Sequence, residues 1–390
     1  MTRSSFTAAS IREFLSSGWV LSLDSKQILV GWGEGRAAEA PENRSGFASL
    51  FAPDFYLETN APWRVFSRWE QLDRDAFAAI IGSAIESMGF PKESAYTSGF
   101  EASGRPFHWT EPKEETFFSY FETIRKNMVT DGLQKAVPVV FAEAKGELTF
   151  ARKLHILRSL LRLPSTLHLY GYWSQDAQGR SEGILGATPE MLFEKGKLAG
   201  EFETVAIAGT LAKSQGEAAA ANVREGEELL SDPKERLEHQ IVVDDIRDVL
   251  APLGQVEVGD TGVLELPTLF HLKTPIHGRL REGAKFEDLV RVLHPTPALG
   301  VAPRRLGFTE MRRWDEPSRR WRYGAPFGIM ARLKNGDEVG KCVVAIRNIQ
   351  WQDQLIRLGS GCGVVGASDP VREWRELQLK RESVRRMLGV

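Results

Sequence analysis

The chain has 390 residues, 42% apolar and 26% charged, with a formal net charge of -2. That is enough apolar material for a sizeable core, and the near-neutral balance leaves neither the basic footprint of a nucleic-acid binder nor an acidic tail. No stretch approaches the roughly 18 apolar residues of a membrane span, no charged-then-apolar leader opens the chain, and two cysteines, Cys342 and Cys362, suit a reducing cytoplasm better than a disulfide scaffold.

No linker, repeat or low-complexity run divides the sequence, so it reads as one large domain. Ala8 to Ser16 predicts a short helix, and Gly18 to Leu23 and Gln27 to Trp32 a hairpin about Asp24-Ser25-Lys26. Helical spacing recurs over Asp73 to Met88 and Lys113 to Met128. From Val137 onward strands dominate: Val137 to Glu143, Leu148 to Leu157, Leu167 to Trp173, Ile184 to Leu192, Lys197 to Thr210 and Val256 to Leu264. Phe327 to Leu333 and Val339 to Ile349 flank Asn335-Gly336, a strong hairpin signal. Long alternating strands joined by hairpins, with helices over Pro233 to Leu250 and Pro370 to Met387, predict an α+β fold of large antiparallel sheets flanked by helices. The basic run Arg304 to Arg322 reads as solvated surface or a substrate-facing loop.

The two late helices carry the first chemistry. Each opens with Ser-Asp-Pro, at Ser231-Asp232-Pro233 and Ser368-Asp369-Pro370, with the aspartate as N-cap and the proline at the first helical position. Glu235 and Glu238 stand at i, i+3 on one; Glu373, Glu376 and Lys380 share a face of the other. Two such helices meeting across a cleft can hold a hard divalent cation, and Mg²⁺ suits one or two carboxylates plus water or an anionic ligand. Glu235 equally fits a capping box with Asp232, and Glu373 a surface charge.

Gly361-Cys362-Gly363-Val364-Val365-Gly366 matches G-x-G-x-x-G, but the chain ends before a second strand with an acidic ribose ligand can follow. The glycines read instead as a backbone cradle for an anion beside a helix N-terminus.

The order of motifs is more specific than any one of them. GATPEMLF (Gly186 to Phe193), AIAGT (Ala206 to Thr210), KERLEH (Lys234 to His239), LPTLFHLKTPIHG (Leu266 to Gly278), LHPTPALG (Leu293 to Gly300), YGAPFGI (Tyr323 to Ile329), VVAIRN (Val343 to Asn348), GSGCGVVGASDP and EWRELQLK follow one another. This succession resembles the chorismate-utilising enzymes, and HPTPALG with EWREL is most similar to the isochorismate synthases among them. The likeness is strong over about residues 140 to 390 and weak before. Residues 1–135 accordingly read as the N-terminal portion of the same domain, and 136–390 as the chorismate-binding catalytic region.

The resemblance implies Mg²⁺ as cofactor, chorismate as substrate, and a place in menaquinone or siderophore biosynthesis. It makes Glu238 and Glu376 metal ligands, with Glu235 and Glu373 as outer or water-mediated partners. Arg347 and Lys380 pair with a substrate carboxylate, the fork of one and the point charge of the other suiting it, and the backbone at Cys362 and Gly363 binds the same group. Ala208, Gly209 and Thr210 stand beside the metal-bound carboxylate. Glu190 matches the general acid, which must keep its proton near neutrality, and His271 matches a histidine near the ring. A packed core histidine accounts for His271 as well, and a structural salt bridge for Arg347.

Isochorismate synthases carry a base lysine in a K-V-V-L-A-R segment, and the corresponding stretch is taken as Glu147 to Arg152, placing Glu147 where the lysine belongs. Lys145 and Lys153 share its face if the segment is extended. The departure leaves three readings: an isochorismate synthase working through Glu147 or a shifted lysine, an ammonia-using aminodeoxyisochorismate or anthranilate synthase component that needs a glutaminase subunit, and a binding protein that has lost turnover. Ala208 replaces the lysine of the aminodeoxychorismate synthases' K-G-T segment, which removes that subgroup's nucleophile.

Overall fold

Alternating strands bury one face each, and here two large sheets bury theirs against one another. The computed structural model describes every residue except 1–5, 8, 43, 90–105, 197, 199, 214–218, 267 and 316–319. Lys197 and part of the basic run therefore lie outside the described residues. An eight-stranded sheet runs, edge to edge, through Trp69–Asp73, Gln27–Trp32, Gly18–Ser22, His168–Gln175, Ser181–Thr188, Asn348–Gln352, Leu355–Gly361 and Val139–Lys145. A ten-stranded sheet includes Glu201–Ala212, Leu269–Leu280, Met191–Lys195, Glu338–Val344 and Pro326–Arg332. Both are antiparallel, as in the hairpin Gly18↔Trp32 and the long pair Glu201↔Arg279. Trp19, Leu21 and Tyr170 of the first sheet pack with Leu50, Phe327, Ile329 and Val343 of the second. Helices cover the outer faces: Arg74–Ser87 and Phe150–Leu161 over the first sheet, Pro233–Leu250 and Phe286–Leu293 over the second. The fold is α+β, with large antiparallel sheets and flanking helices. Among the described residues no helix is long and apolar enough to cross a membrane.

Four predicted strands differ from the structure, each for a physical reason. Residues 148–157 do not form one: Thr149 caps a helix, Phe150–Leu161, whose Leu154, Leu157 and Leu161 repeat at helical spacing into the core. Lys145, Glu147 and Lys153 consequently share no strand face. The stretch Val256 to Leu264 is two strands, Gly254–Val258 and Gly262–Glu265, both paired with Leu269–Leu280.

The other two differences build the site. Ile184 to Leu192 breaks at Pro189-Glu190, because a proline cannot donate to a ladder, and the chain passes from the eight-stranded sheet at Thr188 to the ten-stranded sheet at Met191. Val339 to Ile349 breaks likewise, leaving the ten-stranded sheet at Val344 and joining the other at Asn348. The crossings are adjacent: Val344 N donates to Glu190 O at 3.0 Å and Ala187 N to Arg347 O at 3.3 Å. Arg347 turns there with φ 57, in the left-handed region. Glu190 and Arg347 are thus presented where two strands change sheets.

Within the basic run, Arg320 is neither solvated nor substrate-facing. Its side chain is fully buried, over the Phe55 ring and 3.1 Å from Asp315 Oδ2.

Candidate active site

Both Ser-Asp-Pro helices form as read. Asp232 Oδ1 accepts from Lys234 N and Glu235 N, and Asp369 Oδ1 from Arg372 N. The capping-box reading of Glu235 does not hold, since its Oε2 accepts from Thr210 N at 2.7 Å instead. The register of Glu201–Ala212 shifts between Ala208 and Thr210, where Gly209 takes φ 74, and this turns the Thr210 amide toward the helix.

The two helices meet through their carboxylates. Lys234 Nζ stands 3.0 Å from Glu235 Oε1, 3.1 Å from Glu238 Oε2 and 3.1 Å from Glu373 Oε1. Glu238 Oε1 also receives Lys135 Nζ at 3.0 Å, and Glu376 Oε1 receives Lys380 Nζ at 2.6 Å. Burial of Glu238 disfavours its charge, but Lys135 and Lys234 outweigh that and hold the carboxyl below the usual range. Glu373 shifts the other way, to about 7, through burial and the neighbouring Glu376.

Among the described residues no group of three or more His, Cys, Asp or Glu is arranged to hold a metal ion; the Lys234 ammonium stands among their oxygens. The donor set nevertheless fits a hard divalent cation. All its donors are oxygens, Glu373 is 3% exposed, and its buried Oε2 has no hydrogen-bond partner among the described residues. A Cβ at Gly363 would lie 1.9 Å from Glu238 Oε1, so only glycine lets the cradle approach that carboxylate. Glu238 and Glu376 would hold the ion, with Glu235 and Glu373 beside them.

Behind Glu238 lies a cavity of about 60 Å³, lined among others by Glu190, Ala208, Gly209, Thr210, His271, Tyr323, Arg347, Gly361, Gly363 and Lys380. Side chains must move to admit a ring-bearing diacid, since ligand pockets usually exceed roughly 300 Å³. Glu190 is 5% exposed, and its carboxyl is pushed up to about 7 by burial, against the opposing pull of Lys135, the Thr296 hydroxyl and Lys380. It can therefore hold a proton near neutrality. Arg347 Nη2 donates to His271 Nε2 at 2.9 Å, and His271 Nδ1 lies 3.1 Å from Gly209 O. Guanidinium cannot accept, so Nε2 must, and the ring proton is on Nδ1. Burial and the Arg347 charge keep this imidazole neutral, far below its ordinary pKa. Lys380 also donates to Gly361 O at 2.9 Å.

One expected site residue lies elsewhere, and a second, expected to act through its backbone, turns its side chain away from the cavity. Glu147 is exposed in the loop before the Phe150–Leu161 helix and lines neither this cavity nor the wider one beside it. Cys362 is 1% exposed and belongs to an apolar cluster with Phe117, Val364 and Trp374; the cavity is lined by its neighbours Gly361 and Gly363. Lys135 was missed. It sits on a two-residue strand, Lys135–Ala136, that pairs with Val364–Val365 and with Val301–Ala302, and its side chain is fully buried against Glu238. Its signal was a lone lysine at the head of the apolar run Ala136 to Phe141, where a buried cation needs a partner. Lys135, buried against Glu238, is therefore the lysine that the structure brings to the site, whereas Glu147 stands exposed. Tyr323 lines the cavity and the Thr296 hydroxyl donates to Glu190 Oε1 at 3.5 Å; tyrosine and threonine carry no spacing signal that would single them out in a sequence.

Residues 90–389 match the family described as chorismate binding enzyme. The chain is 40% identical over 208 residues to the salicylate biosynthesis isochorismate synthase of Pseudomonas aeruginosa, covering 53% of this chain and 42% of that protein. It is 35% identical over 236 residues to the isochorismate synthase MenF of Bacillus subtilis, covering 60% and 47%. The chain spans about half the length of these curated relatives. The solved structure of MenF, the menaquinone-specific isochorismate synthase from Escherichia coli, superposes with TM-score 0.75 over 99% of this chain and 92% of that one. At 20% identity that likeness speaks for the fold. With the family match running over most of the chain and the motif residues gathered in one site, the chain belongs to the chorismate-binding enzymes.

Proposed function

We propose that this protein converts chorismate to isochorismate with Mg²⁺, adding water at C2 as hydroxyl leaves C4. The observation that carries the reading is a buried carboxyl able to keep its proton, Glu190, in the same site as a buried lysine, Lys135. Arg347 and Lys380 bind one substrate carboxylate as a fork and a point charge. Glu190 gives its proton to the departing C4 oxygen, which leaves as water. Lys135 is the candidate base for the water that attacks C2, a role in which its Nζ, paired with Glu238 in the resting site, must first give up a proton, and the ring double bonds shift between the two positions. Glu238 and Glu376 would hold Mg²⁺, which would supply positive charge toward a dianionic substrate. The site has no need of Glu147 or of a covalent nucleophile.

The product feeds menaquinone or catecholate siderophore formation in the cytoplasm. The test is to incubate the purified chain with chorismate and Mg²⁺, with and without ammonium, and resolve the products by chromatography. Isochorismate in both arms supports the reading. An amino product appearing only with ammonium would transfer it to the glutaminase-partnered class, and unchanged chorismate despite intact binding would end it.

A further inference from the structure

The carboxylate cluster already contains a cation of its own. Lys234 Nζ is within 3.1 Å of oxygens from Glu235, Glu238 and Glu373, which matches the three donors of an ammonium to three acceptors. Two of these acceptors lie on its own helix and one on Pro370–Leu388, so the contact ties the helices together. Resting on the metal site assigned above, we propose that Lys234 is a positioning residue which holds these carboxylates in register and competes with the divalent ion for the same oxygens.

The electrostatic reasoning is direct. Four carboxylates, Glu235, Glu238, Glu373 and Glu376, face three ammonium groups, Lys135, Lys234 and Lys380. Adding a divalent ion while Lys234 stays would make the cluster cationic and crowd two cations on one set of oxygens. Lys234 has somewhere to go. Its side chain also borders a cavity of about 420 Å³, on whose wall Glu228, Asp232 and Asp369 offer other acceptors. The lysine thus sets how readily the metal binds: it prevents mutual repulsion of the carboxylates and imposes a displacement step on the incoming ion. Removing it leaves the acidic groups short of positive charge and frees their oxygens.

The test uses the full chain with Lys234→Met and Lys234→Arg, titrated with MgCl₂ in a calorimeter and melted in EDTA and in Mg²⁺. Lys234→Met is expected to bind Mg²⁺ at least about tenfold tighter than the parent, because a like charge that shares the same oxygens is removed. Its melting temperature should fall in EDTA and rise further than the parent's on adding Mg²⁺. Lys234→Arg, which keeps the charge, should bind no tighter than the parent. A Lys234→Met chain that folds only with Mg²⁺ present supports the same conclusion. Equal or weaker Mg²⁺ binding by Lys234→Met, while the parent binds Mg²⁺, overturns the competition and leaves the metal site standing. Tighter binding by Lys234→Arg also overturns it. Absence of Mg²⁺ binding in parent and variants alike overturns the metal site itself, and the competition with it.

Discussion

Arg347 Nη2 and His271 Nε2 stand 2.9 Å apart, and the Gly209 carbonyl receives the other ring proton of the same imidazole over 3.1 Å. The ring is thereby fixed between a turn of the Glu201–Ala212 strand and a cation on left-handed backbone. His271→Phe preserves the volume and removes the acceptor. The variant is expected to raise KM for chorismate about tenfold, the cost of one hydrogen bond to a charged group, with a smaller change in kcat. Steady-state kinetics check this; an unchanged KM would mean that Arg347 does not depend on the ring.

If Glu190 is the general acid, it should set the alkaline limit of activity. Its carboxyl titrates near 7, so the acid form is present below that pH and is lost as pH rises through it. The kcat of the parent should decline above about pH 7. Glu190→Gln should lower kcat by roughly 10²–10⁴-fold, as expected for loss of a general acid, and flatten that limb of the profile.

Lys135 and Glu147 are the two candidates for the base. Lys135→Met should abolish turnover and destabilise the fold by about 3–5 kcal/mol, because it leaves Glu238 short of its buried partner. Glu147→Ala, at an exposed loop position, should leave turnover unchanged and stability within about 0.5 kcal/mol. Activity assays beside urea unfolding decide between them, and loss of turnover in Glu147→Ala alone would assign the base to Glu147.

Lys153 predicts a pH-dependent stability. It is 2% exposed, donates to Leu15 O at 2.7 Å, and lies near the Phe150, Trp173 and Trp351 rings; no carboxylate pairs with it among the described residues. Burial lowers its pKa from 10.5 to about 7. Between those values the unfolded chain holds the proton and the folded chain does not, so this residue's contribution to stability rises with pH. Below about 7 both states are charged and the burial penalty is complete. Lys153→Met should therefore be more stable than the parent, by on the order of 1–4 kcal/mol at pH 6, with the advantage shrinking toward pH 10. Thermal melts of the two proteins across that range provide the check, and a constant difference would contradict it.

The parts of the site carried by local rules were legible in the sequence. Ser-Asp-Pro caps and i, i+3 carboxylates need only a few consecutive residues, and both helices form where those residues stand. The sheets were legible as alternation. Glu190 and Arg347 could be named, but their juxtaposition arises from two strands leaving their sheets side by side, which no local pattern encodes. Lys135 was hidden for the same reason, since its partner Glu238 is 103 residues away. The Phe150–Leu161 helix was misread because Leu148, Phe150, Leu154 and Ile156 fit alternation, while Leu154, Leu157 and Leu161 fit a helix; packing against the first sheet decided it.

The central claim is that water, activated beside Lys135, attacks C2 while Glu190 releases the C4 oxygen. Running the reaction in water labelled with heavy oxygen and locating the label by mass spectrometry tests it most directly. The account predicts isochorismate with one solvent-derived oxygen, at C2. Product retaining the original chorismate oxygen at that carbon would show that the hydroxyl migrates within the molecule, and would contradict the acid and base roles together.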